Sequence, residues 1–138
     1  MLHCSIMAED GIVVLKPTAP LTTADFTGLS ALVDGYLADH ARVRGVLIQA
    51  ESFPGWDSLA GFGAHMRFIH DHQRRIDRVA LATDSTAIRA VEALATCFVT
   101  ATIRHFPYAE SAAALAWLTA PRADQRSDDP QIASRIAN

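Results

Sequence analysis

Between Ile12 and Leu118 short aliphatic runs alternate with longer stretches of helical periodicity, and that alternation leaves few folds open. Strands separated by helices pair side by side in one direction, because each helix carries the chain back across the sheet. Gly45-Val46-Leu47-Ile48-Gln49-Ala50 reads as a strand buried on both faces, and Arg78-Val79-Ala80-Leu81-Ala82-Thr83 as the next. Residues 102–106, β-branched and aromatic and stopped by Pro107, read as the last. Upstream, residues 2–7 and 12–16 flank Ala8-Glu9-Asp10-Gly11, and Asp-Gly between two such runs signals a hairpin that Pro17 and Pro20 then end.

The helices are marked by period and caps. Thr22 or Thr23 caps a first helix, Asp25 sits in its first turn, and Phe26, Leu29, Leu32, Val33, Tyr36 and Leu37 form its apolar stripe down to about His40. A second starts near Trp56 or Asp57, with Leu59, Phe62, Gly63, Met66, Ile69 and Gln73 expected inside and Gly61 and Gly63 allowing close approach to the sheet. Asp84 or Ser85 caps a third, whose inner face is Ile88, Val91, Leu94, Ala95, Phe98 and Val99. An alanine-rich helix over residues 109–119 carries Leu115, Trp117 and Leu118. The expectation is an α/β domain over residues 1–120: a mainly parallel five-stranded sheet with crossover helices in the order β-β-α-β-α-β-α-β-α. Residues 121–138 hold little apolar content and read as a disordered or weakly helical tail.

Composition excludes several functions. With 12 basic and 15 acidic residues, a formal charge of −3 gives no electrostatic grip on nucleic acid. The first residues lack a basic region and reach Glu9 and Asp10 at once, unlike a signal peptide. The most apolar stretch, residues 93–103, is well short of the roughly 20 residues a spanning helix needs. Cys4 and Cys97 belong to no CxxC pair and suit a reducing, cytoplasmic setting. No HExxH or HxxxH occurs; His65 and His72 lie seven residues apart, about 10.5 Å along a helix axis, so no metal site is expected. Ser58 has no GxSxG elbow, and no glycine-rich phosphate loop exists. No catalytic set or cofactor is expected, and the chain reads as a binding domain and not an enzyme.

The helix from His65 to Ile76 runs into Asp77-Arg78-Val79-Ala80-Leu81-Ala82-Thr83-Asp84. Thr102-Ile103-Arg104-His105-Phe106-Pro107-Tyr108 then leads to an alanine-rich helix closing on Trp117-Leu118. Together these words resemble the SpoIIAA-like family over residues 12–118. The resemblance implies a STAS-like fold related to the Sec14 lipid-binding type. STAS anti-sigma antagonists carry Asp-Ser-Ser-Gly at the start of the helix after the third strand and are phosphorylated on the second serine. Asp57-Ser58-Leu59-Ala60-Gly61 holds that place here, with Leu59 where the phosphorylated serine would stand and Ser58 as the alternative phosphorylation site.

In an open parallel sheet, ligands collect at the carboxyl ends of the strands. Phe53, Trp56, Asp57 and Ser58, then Asp84 and Ser85, then Phe106 and Tyr108, are the candidate ligand-binding residues, and Lys16 ends at the same edge if its strand is parallel. Four aromatics there either wall a pocket for a lipid-like small molecule or staple helix starts and complete the core. Helix N-termini at Ser58 and Ser85 suit an anionic head. His65, Arg67, His70, His72, Arg74, Arg75 and Arg78 make a basic segment that either meets anionic lipid at a membrane surface or answers the helix dipole. Asp57 and Asp84 either approach each other across the loops or act as separate caps. The functional expectations are a module for a small apolar or amphiphilic ligand or, alternatively, a STAS-type domain docking a regulatory protein. Trp117 and the last helix leave a homodimer open.

Overall fold

The computed structural model describes residues 1–52, 56–84 and 101–121. Phe53, Ser85, the expected third helix with its inner face from Ile88 to Val99, and the tail from Arg122 lie outside the described residues. Strand β1 (Leu2–Met7) pairs antiparallel with β2 (Ile12–Pro17). Their turn closes on the Met7 carbonyl, which accepts the N–H groups of Asp10 (3.1 Å) and Gly11 (2.8 Å). Gly11 has φ 69°, a left-handed conformation that favours glycine. From β2 onward the pairing is parallel through β3 (Val43–Ala50), β4 (Ile76–Thr83) and β5 (Thr102–Phe106), in the spatial order β1-β2-β3-β4-β5. This is the mainly parallel five-stranded sheet expected from sequence.

Register sorts side chains into two faces. The row Val13, Val46, Val79, Ile103 turns one way, and the row Val14, Leu47, Ala80, Arg104 the other. Helices α1 (Thr23–Leu37) and α2 (Leu59–His72) pack with the first row; α3 (Ser111–Thr119), after a 3₁₀ turn at Tyr108–Glu110, covers the second. Thr22 caps α1 through a full capping box with Asp25. Asp25 also accepts the Leu2 N–H at 3.2 Å, tying the first strand to the first helix. Its burial opposes ionisation, but the bonds from Thr22, the N-terminal ammonium and the Leu2 N–H prevail and hold the carboxyl below the usual range.

Helix α2 departs in part from the sequence expectation: Ile69 and Gln73 are buried and Met66 partly so, as expected, but the first turns face the other way. Leu59 is 85% exposed and Phe62 38%, and a side chain at Gly63 would meet open space. The side turned inward holds Gly61, His65, Phe68, Ile69 and His72, displaced by one residue, roughly 100° around the axis. Two histidines explain the shift, because each finds a partner distant in sequence. The Trp56 indole donates to His65, and His72 sits 2.8 Å from both the Phe68 carbonyl and the Asp34 carboxylate. Gly61, in contrast, is required: a Cβ there would lie 2.7 Å from an Asp57 carboxylate oxygen and 2.8 Å from the Leu21 carbonyl.

The basic segment also changes meaning. Arg75 donates to the carbonyls of Leu37, His40 and Ala41, just past the end of α1. Arg78, only 3% exposed, donates to the carbonyls of Trp117, Ala120 and Pro121 at the end of α3. The Trp117 ring meets the guanidinium groups of both Arg78 and Arg104, 5.5 and 5.9 Å from its centre. Leu118 seats α3 on the sheet directly over Gly45, where a Cβ would lie 2.7 Å from Leu118 Cδ2. Gly45→Ala is therefore expected to cost about 1–3 kcal/mol by overpacking. Urea unfolding should show a lower midpoint at unchanged slope; an unaltered midpoint would mean α3 does not bear on this strand.

Candidate functional site

The strand order brings the described parts of the predicted loops, Trp56 to Ser58, Asp84 and Phe106 to Tyr108, to one sheet edge, and Lys16 is there too, exposed near the carboxyl end of the parallel β2. Packing then divides them. Trp56 makes a β-bridge with Leu21, crosses Phe62 edge-on at 4.8 Å and is partly buried against the α1–α2 core. Phe106 is buried in the core on the opposite face, 6.0 Å from the Trp117 ring. Tyr108 is exposed, and its backbone N–H donates to the Asp84 carboxylate at 3.3 Å. Trp56 and Phe106 thus serve separate cores, so the described aromatics do not form one wall.

Asp57 and Ser58 start α2 as the sequence implies. Ser58 is the N-cap: its hydroxyl accepts the Gly61 N–H at 3.1 Å and donates to Asp57 Oδ1 at 3.0 Å. The Asp57 N–H reaches the Leu21 carbonyl at 2.9 Å, stitching the loop to the segment before α1. Asp57 and Asp84 each have a partner of their own. Thr83, buried at the end of β4, carries the one buried side-chain polar atom that lacks a hydrogen-bond partner among the described residues.

His65 is the inward-facing polar group whose surroundings sequence reasoning missed. Its ring stacks on Phe26 at 4.8 Å and accepts the Trp56 indole N–H at Nδ1, 3.0 Å away. An indole N–H only donates, so Nδ1 carries no proton and the ring hydrogen of the neutral form sits on Nε2. Burial pushes the pKa from 6.5 to about 4, which favours the same neutral state. Its spacing from Phe68, Ile69 and His72 on one helix face was the available signal; counting histidine as solvent-facing hid it.

Beside His65, between the sheet and the two helices, lies an apolar chamber of about 80 Å³ that is partly open to solvent. Leu15, Ile48, Phe68, Ile69 and Val79 are among its walls, and His65 is the one polar side chain among the described residues that line it. A separate open groove runs along the outer surface between α1 and α2, past Thr27, Ser30, Gly63, Ala64, Arg67 and Asp71. No three His, Cys, Asp or Glu side chains among the described residues gather as a metal site, and no described helix is long and apolar enough to cross a membrane.

An α/β domain with parallel crossovers on one face and a closing helix on the other has the architecture of the STAS-like class. The SpoIIAA-like family profile matches residues 12–119, and the chain belongs to the SpoIIAA-like family. Among solved structures it is similar to an uncharacterized protein of the DUF3478 family with a SpoIIAA-like fold from Shewanella loihica PV-4. That likeness has a TM-score of 0.68 and 20% identity over 86% of this chain and 92% of the other, and it concerns the fold. No curated protein matches.

Two measurements check the site. The unfolded imidazole of His65 protonates near 6.5 and the folded one near 4, so its stabilisation is complete above the first value and is lost on acidification towards the second. The loss should amount to about 3 kcal/mol. Subtracting the pH–stability curve of His65→Leu from that of the wild type should isolate this step; parallel curves would show that His65 is not held neutral. Thr83→Val should be neutral or stabilise by up to about 1 kcal/mol, because it removes a hydroxyl with no partner. A clear loss in thermal unfolding would reveal a bond to that hydroxyl.

Proposed function

We propose that this SpoIIAA-like domain is a non-catalytic regulatory module of the STAS type that docks a partner protein through the solvent face of α2, beside Ser58. The observation that carries the reading is Leu59, 85% exposed on the first turn of α2, with Phe62 exposed one turn on. On a capped helix, Leu59 gains about 1.5–2 kcal/mol when a partner covers it, and Phe62, already largely covered by contacts that include Trp56, gains a fraction of that. The resemblance puts Leu59 where related antagonists carry a phosphate acceptor, so an apolar anchor replaces a charge at that place. Ser58 keeps an exposed hydroxyl next to it. A phosphate there would gain from the α2 N-terminus but would face the Asp57 carboxylate, now 3.0 Å from the hydroxyl oxygen, and so would reset the docking face.

A second reading, a module for a small apolar or lipid-like ligand, is favoured by the chamber of about 80 Å³. Pockets that enclose drug-sized ligands run from roughly 300 to 1,000 Å³, so a whole lipid does not fit inside. Four of the seven basic side chains of the basic segment are engaged within the fold, while Arg67, His70 and Arg74 are exposed. His65 and His72 are turned inward, and Arg75 and Arg78 hold helix-end carbonyls.

The wild-type domain and Leu59→Ser, each used as bait in extract of its host, test docking. The variant should keep its stability within about 0.5 kcal/mol, because the position is exposed, and should retain at least tenfold less of any partner. Equal retention by both would sink the reading. Phosphate mapping of Ser58 in protein from the host then establishes whether docking is switched.

A further inference from the structure

The apolar chamber under His65 lies in the interior of the molecule, between the central strands and two helices. Ile48 shows the effect: it lies on the third of five strands, faces α1 and α2, and still keeps partial exposure where the chamber meets it. Native interiors hold few voids larger than a water molecule. Those lined by hydrocarbon stay dry and take up apolar guests; an engineered void of about 150 Å³ holds benzene. A space of about 80 Å³ accommodates the last few carbons of a chain and nothing bulkier.

The walls also fix the chemistry. Leucine, isoleucine, valine, proline and phenylalanine side chains supply all of the described wall except His65, whose ring has no charge while Nδ1 accepts the Trp56 N–H. Charging that ring would cost the Trp56 bond, since a protonated imidazole has no acceptor left. No lysine or arginine lines the described wall to pair with an anionic head.

We propose that the chamber binds the terminal hydrocarbon of a neutral, straight-chain amphiphile, such as an alcohol or an ester, whose polar end stays in the opening. This rests on the small-ligand reading above and names the class of ligand. Occupation reaches the first turns of α2 through the His65–Trp56 hydrogen bond, the same turns that present Leu59 and Phe62. A bound chain is therefore felt at the proposed docking face.

The test is methyl NMR of the full chain at pH 7.5 with three probes: xenon, hexan-1-ol and hexanoate. Xenon reports whether the chamber admits any apolar guest. Hexan-1-ol should produce saturable shifts at Ile48, Ile69 and Val79 and at the Trp56 indole N–H, with Leu118 on the other face unmoved. Hexanoate should bind at least fivefold more weakly. Val46→Ile together with Val79→Ile, which fills the space with two added methyl groups, should raise the melting temperature and weaken hexan-1-ol at least tenfold. Xenon binding without hexan-1-ol binding, or hexanoate as tight as the alcohol, overturns the proposed class while the small-ligand reading stands. No shift with any probe, or a filled variant that binds hexan-1-ol like the wild type, overturns both.

Discussion

The carbonyls at the end of a helix must be satisfied wherever the helix is packed against a sheet, and this chain meets that demand with arginines from elsewhere. Neither α1 nor α3 has a basic residue in its last turn. Arg75 reaches the end of α1 and Arg78 the end of α3, so two side chains three residues apart hold helices on opposite faces. Desolvating a guanidinium costs several kcal/mol. Several carbonyl bonds, the negative ends of the helix dipoles and the Trp117 ring offset that cost at Arg78. Because both arginines lie where α2 gives way to β4, the position of α2 is coupled to both layers.

A second constraint is the pairing of Trp56 with His65. It positions the loop before α2, favours the neutral ring and places that ring against Phe26 and the chamber. His72, one helical face-length further on, is held differently: both its ring nitrogens face acceptors, one a carboxylate on α1. Two histidines of the same helix therefore anchor it to different neighbours through different chemistry. With both turned inward, α2 presents Leu59 and Phe62 outward. The outward stripe that bears on function is thus a consequence of where the histidines found partners.

Sequence by itself determined the order of the described elements, the hairpin, the parallel sheet and the limits of β5, because these follow from local periodicity and from punctuation at Gly11, Pro17 and Pro107. It also narrowed the first cap to Thr22 or Thr23 and the start of α2 to within two residues, since a cap acts within three residues; the structure selects Thr22 and Ser58. Tertiary structure decided which face of α2 is buried, that Arg75 and Arg78 close helix ends, that Phe106 belongs to a different core from Trp56, and that a chamber lies beneath His65. Each of these depends on a partner more than eight residues away. Periodicity records the polarity of a side chain but carries no information on whether a distant donor, acceptor or ring will satisfy it.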